Sequence, residues 1–131
     1  MPVETRDLVN VPIPISTSTS VVTYLGQGMA PSVVFLPAAF TANTVYILIQ
    51  GLFEGDGSAD GTCLSPKTEA NAVIAEAWIT VAATNTNLCV PLTPANWHWC
   101  DTVKATAYQA DKSTVQAQAA ARAIVFGVRP Y

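Results

Sequence analysis

The stretch that most constrains the fold is residues 32–51, SVVFLPAAFTANTVYILIQG, which carries the longest apolar run in the chain. Within it residues 44–50, Thr-Val-Tyr-Ile-Leu-Ile-Gln, are β-branched, aromatic or aliphatic, stop at Gly51, and are too few for an ordinary buried helix. The run therefore reads as a central strand. Side chains alternate along a strand, so Val45, Ile47 and Ile49 face one way and Tyr46, Leu48 and Gln50 the other, and both faces need cover. The preceding run, 33–36, ends at Pro37, which has no N–H to give to a ladder, and 38–43 turns the chain toward the second strand of a pair.

Length and charge narrow the class. A chain of 131 residues is one domain of ordinary size. Charged residues make up 11%, against roughly 25% in typical soluble domains, so the surface is expected to be unusually neutral. With 6 basic and 9 acidic residues and no Lys/Arg cluster, the chain lacks the footprint of a nucleic-acid binder. No apolar run approaches the ~18 residues of a membrane span, and no basic segment precedes an apolar one at the N-terminus, so neither membrane nor signal peptide is expected. Synthesis in a reducing cytoplasm is the corresponding expectation.

The three cysteines, Cys63, Cys89 and Cys100, fit no zinc spacing, and His98 is the sole histidine. Free thiols are the plain reading; a Cys89–Cys100 disulfide is the alternative if those residues lie on neighbouring strands. A metal site using His98 and Cys100 is the least favoured alternative, and no metal or cofactor is expected.

Residues 1–20 read as an extended N-terminal arm ahead of a domain at 21–131. Two prolines restrict the backbone within Val-Pro-Ile-Pro-Ile, and a Ser/Thr run without apolar periodicity follows. The bland expectation is a loose terminus. The sharper one is that Val11, Pro12, Ile13, Pro14 and Ile15 form a strip that docks on a neighbouring subunit. Residues 21–25 read as a first strand, ended by Gly26-Gln27-Gly28.

After Gly51 a long turn-rich loop is expected over 52–72. Inside it Asp56-Gly57-Ser58-Ala59-Asp60-Gly61 resembles the first half of a calcium loop, but position 12 of such a loop falls on Lys67, so an ordinary loop is favoured. Strand-like runs at 75–82 and 87–92, joined by the polar link 83–86, make a hairpin candidate, although 73–78 alone also fits a helical turn. Next comes the knot Trp97-His98-Trp99-Cys100, then an alternating strand with Val103, Ala105 and Ala107 on one face and Lys104, Thr106 and Tyr108 on the other. Propensity gives a helix over 113–122, STVQAQAAAR, which tertiary context can override because it lacks a wide apolar face. A final strand spans 123–128. Up to eight short β runs separated by turn signals indicate an all-β fold, an antiparallel β-sandwich of jelly-roll type.

No constellation supports catalysis. Any Ser-His-Asp or Cys-His mechanism requires His98, which sits between two tryptophans in what reads as packing. Glu54, Asp56 and Asp60 share one loop with nothing to fix their separation. No glycine-rich phosphate cradle joins a strand to a helix.

One resemblance stands beside this reading. Phe35-Leu36-Pro37-Ala38-Ala39-Phe40-Thr41-Ala42, the strand ending in Gln50-Gly51, the Asp-Gly loop, Pro91-Leu92-Thr93-Pro94 before Trp97, and the close from Gln-Ala-Ala-Ala-Arg122 to Val128-Arg129-Pro130 resemble small structural proteins of tailed bacteriophages. The likeness covers about 32–131, and the chain departs from it in the 56–72 loop and the Trp97–Cys100 knot. It implies a non-enzymatic β-sandwich of the virion: a capsid decoration, or cement, protein on the capsid surface. Its expected partners are itself, as a homotrimer, and the major capsid protein. The alternative is a carbohydrate-recognition or adaptor module of the phage tail, with Trp78, Trp97, Trp99 and Tyr108 either as stacking platforms or as core.

Overall fold

In the computed structural model of the chain, the run at 44–50 becomes strand β4 (Tyr46–Leu52), hydrogen-bonded along both edges, as a central strand requires. The structure describes residues 7–26, 28–37, 39–53, 64–81 and 87–130. Around β4 lie β1 (Asp7–Asn10), β2 (Thr23–Tyr24), β3 (Met29–Leu36), β5 (Glu76–Thr80), β6 (Leu88–Pro91), the single turn α1 (Pro94–Trp97), β7 (Thr102–Tyr108) and β8 (Val125–Pro130). The strands form two antiparallel four-stranded sheets, β1-β8-β3-β6 and β2-β7-β4-β5. Their inner faces meet in one core, to which Ile47, Ile49, Val103, Ala105 and Ala107 contribute from one sheet and Val34, Leu36, Phe126 and Val128 from the other. The chain is thus an all-β sandwich.

Strand pairing departs from chain order. β3 and β4, consecutive in sequence, belong to opposite sheets, and the chain crosses between them through buried Phe40 and a turn closed by Thr44 N–H donating to Thr41 O at 3.1 Å. Asn43 sits in that turn with φ 75°, a left-handed conformation that asparagine tolerates. β5 and β6 likewise lie in opposite sheets, so the expected hairpin is not formed; the link at 83–86 lies outside the described residues. The pairs that form include a first-with-last series, β1 with β8, β2 with β7, β3 with β6 and β4 with β5, to which β3 with β8 and β4 with β7 are added within the sheets.

The N-terminal segment corrects the sequence reading. From Asp7 the chain is an edge strand on β8, and the pairing continues past β1 with Val11 N–H donating to Ile124 O (2.7 Å) and Ile13 N–H to Arg122 O (2.9 Å). Val11 and Ile13 are fully buried in their own chain's core, whereas Pro12 and Ile15 are exposed and Pro14 is half-buried. Beyond them Ser20 N–H donates to Ala105 O (2.8 Å) and Ala107 N–H to Ser18 O (2.8 Å), so the segment passes from one sheet to the other. Residue 20 is therefore no domain boundary, and Val11 and Ile13 are taken up by intramolecular packing rather than offered to a neighbour. The physical reason lies in the prolines: donors are used at 11 and 13, and Pro12 and Pro14 fill the alternate positions whose N–H an edge strand does not need. Residues 1–6 lie outside the described residues.

Residues 113–122 form no helix; they are irregular chain with bends and isolated bridges at Val115 and Arg122. Gln116 N–H donates to Ala107 O (2.9 Å), and Gln118 N–H to Thr17 O (2.9 Å). The Gln118 side chain, 1% exposed, accepts from Thr41 N–H (2.9 Å) and donates to Thr44 Oγ1 (3.1 Å) and Gln116 O (3.0 Å). A buried amide with its partners made outweighs the small propensity advantage of an Ala/Gln helix.

Candidate functional site

At one end of the sandwich α1 reverses the chain and sorts the aromatic knot by direction. Thr93 precedes it and Pro94 opens it, a position where the missing N–H costs nothing. Trp97 N–H donates to Thr93 O (3.1 Å) and Cys100 N–H to Trp97 O (3.1 Å), which turns Trp97 and Cys100 inward and leaves Trp99 57% exposed. The inward pair packs over Gly51 so closely that a Cβ there would overlap Cys100 Sγ and stand 2.9 Å from Trp97 Cζ3. Burial, with the neighbouring Asp101 carboxylate adding to it, pushes the Cys100 thiol up to about 12.

Opposite Trp99, the chain leaving β4 builds a wall. Phe53 and Leu64 exchange backbone hydrogen bonds (2.7 and 2.9 Å), and a tight turn over 68–72, with Asn71 at φ 67°, returns the chain so that Ile74 N–H reaches Pro66 O at 3.2 Å. Between wall and α1 lies a cleft of about 910 Å³, lined by Phe53, Leu64, Pro66 and Ile74 on one side and by His98 and Trp99 on the other, with Ser65 and Lys67 as further polar members. Phe53 and Leu64 are 45% and 68% exposed, and Val73, paired with Lys67 beside the cleft, is 45% exposed. His98 stacks on Trp99 with ring centroids 4.1 Å apart and a 41° tilt. Its Nδ1 lies 2.7 Å from Pro94 O, a distance that assigns the proton to that nitrogen. A smaller hollow of about 300 Å³ on the other side of His98 includes Ser32, Pro94 and Arg129.

The four aromatic residues expected either as core or as platforms divide. Trp97 is core, 4% exposed. Trp99 faces the cleft. Trp78 and Tyr108 are half-buried together on the outer face of the β2-β7-β4-β5 sheet, 5.1 Å apart at 54°, joined by Tyr46. Sequence reasoning missed Phe53, Leu64 and Tyr46; isolated apolar side chains inside a turn-rich loop were the available signal for the first two.

Cys89 and Cys100 are free thiols, the former exposed on β6 and the latter buried, so they are not bridged; Cys63 and the Asp56–Gly61 stretch lie outside the described residues. Among the described residues no three His, Cys, Asp or Glu side chains gather as a metal-binding group, and no helix is long and apolar enough to cross a membrane. The chemistry the cleft offers is apolar contact, an exposed indole face, and donors from Lys67 and Ser65. Comparison with family models, curated proteins and solved structures returned no match.

Proposed function

We propose that the chain is a non-enzymatic structural protein of a tailed-bacteriophage virion: a capsid decoration, or cement, protein. In this reading it is made in the host cytoplasm, associates with itself as a trimer, and clamps adjacent major capsid subunits from the capsid surface. The observation that carries the proposal is the apolar end of the sandwich, where Phe53, Leu64, Val73 and Trp99 are each at least 45% exposed around or beside one cleft. Full burial of one such side chain contributes about 1.5–3 kcal/mol, so partial burial of four contributes several, and three linked copies multiply the effect by avidity. A patch of this kind marks an interaction site rather than a bare monomer surface.

We infer further that the sandwich is a jelly roll. Its pairing of first strand with last, second with seventh, third with sixth and fourth with fifth supports this, because it is the pattern of one long hairpin wrapped across two sheets. Viral capsid domains use that architecture, and so do lectins.

The test is rebinding to particles stripped of the protein. Trp99→Ala and Leu64→Ser are expected to keep the wild-type urea midpoint and lose attachment; variants that attach as wild type overturn the proposal. The second reading, a carbohydrate-recognition or adaptor module of the tail, is favoured by one observation, the exposed Trp99 face stacked on His98. Quantitative mass spectrometry of particles separates the two, with hundreds of copies for cement and a handful for a tail part.

A further inference from the structure

On the outer face of the β2-β7-β4-β5 sheet, Leu48 is only 5% exposed, although its side chain points away from the core. Three aromatic rings share this face with it. Tyr46 lies opposite Tyr108 in the ladder and Trp78 opposite Leu48, which lets the indole reach across toward both tyrosines. Tyr46 and Trp78 stand edge to face, centroids 6.1 Å apart at 89°, and Tyr108 closes a third side against Trp78 at 54°. Two rings at right angles, with a third tilted against the indole, make an open aromatic box. Glu76 fixes the indole by accepting from Trp78 Nε1–H at 3.2 Å.

The box holds a cation. The Lys112 ammonium lies 4.7 Å from the Tyr46 centroid and 5.2 Å from that of Trp78, within cation–π range of both. Lys112 reaches it from a turn in which its own φ is 57°, a left-handed conformation uncommon for a long side chain. The turn is secured by the Asp111 carboxylate, which accepts from Ser113 N–H (3.0 Å), Thr114 N–H (2.8 Å) and the Thr114 hydroxyl. Backbone strain, a side-chain cap and an oriented indole thus combine to present an ammonium to the rings of Tyr46 and Trp78. Observed strain of this kind is a pointer to function.

We propose that Tyr46, Trp78 and Tyr108 form a recognition box for an alkylammonium group, plugged in the free protein by the chain's own Lys112, and that an external alkylammonium ligand binds by displacing this plug. Ring faces supply negative potential and no strong acceptor, so a quaternary ammonium, which sheds water more readily than a primary one, is the favoured occupant. The inference is independent of the virion reading, since it concerns a different face of the molecule.

The experiment follows the Trp78 indole N–H by NMR during titration with tetramethylammonium and, separately, with Nα-acetyl-lysine amide, with sodium chloride as the ionic-strength control. Lys112→Ala is expected to bind tetramethylammonium roughly sixfold more tightly than wild type, the factor by which one exposed cation–π contact competes as an internal plug. Trp78→Leu keeps an apolar cover over Leu48 and is expected to abolish the binding, read on the Tyr46 and Tyr108 ring signals. Binding of the quaternary ion points to a choline-like ligand, and binding of the lysine amide alone points to a partner's lysine; both support the box. Equal titration of wild type and K112A, or unaltered binding by W78L, overturns it.

Discussion

Ile13 and Ile15 are two residues apart on the same edge segment, yet the first is fully buried and the second is 60% exposed. Replacing each with alanine therefore measures whether this segment belongs to the sandwich. Ile13→Ala removes three carbons at about 0.8 kcal/mol each, and the cavity left behind raises the cost to about 3 kcal/mol, inside the ~2–5 kcal/mol range of such substitutions. That is roughly a 150-fold change in the folding equilibrium. With a urea m-value of about 1–3 kcal/mol/M, the unfolding midpoint should fall by about 1–3 M, while Ile15→Ala should stay within about 0.5 kcal/mol of wild type. Equilibrium urea unfolding followed by tryptophan fluorescence provides the readout. A wild-type midpoint for I13A, or a comparable loss for I15A, refutes the assignment of residues 7–20 to the sandwich, with Val11 and Ile13 in its core.

Three other outcomes follow from the packing and the ionisation. Gly51→Ala should lose about 1–3 kcal/mol in the same assay, because its Cβ meets Cys100 Sγ, Ala75 Cβ and Trp97 Cζ3, and G51A/C100A should recover part of that loss. With Cys63 replaced by serine, a maleimide at pH 8 should label exposed Cys89 quickly and leave Cys100 unmodified until the protein unfolds, since burial holds that thiol near 12. The hydrogen bonds from Thr114, with Ser113 assisting, lower Asp111 from 3.8 to about 2, so the turn's contribution is fully present above pH 3.8 and is lost as pH falls through about 2. NMR of the Lys112–Trp78 contact should show that loss, and Asp111→Asn should flatten it.

What the sequence disclosed was local. The β-branched run at 44–50 names its own strand, and the alternation of Val103, Ala105 and Ala107 against Lys104, Thr106 and Tyr108 names the inner face of β7. Pairing was not legible, because β3 with β4 and β5 with β6 are separated by short links that suit a hairpin and a crossing to the other sheet equally well. Pro12 and Pro14 misled for a related reason: proline cannot donate to a ladder, and whether it fits an edge strand depends on which side of the segment faces a partner. Gln118 shows a tertiary override. Its buried amide, bonded to 41 and 44, keeps out of helical form a stretch whose alanines and glutamines favour a helix in isolation. The cleft drew on three distant segments, residue 53, residues 64–74 and residues 98–99; the aromatic knot marked the last, while the first two offered only isolated apolar side chains in a turn-rich loop. The aromatic box required the registers of β4, β5 and β7 together before Tyr46, Trp78 and Tyr108 could be placed side by side.

The central claim is that this sandwich is a repeated component of the capsid surface, docked through the end that carries Trp99. An averaged electron-microscopy map of the intact particle tests it most directly. The account predicts trimers of sandwich density at repeated positions on the head, with the Phe53, Leu64 and Trp99 end against the major capsid subunits. Density confined to the tail, or sandwiches on the head that turn this end to solvent, would contradict it.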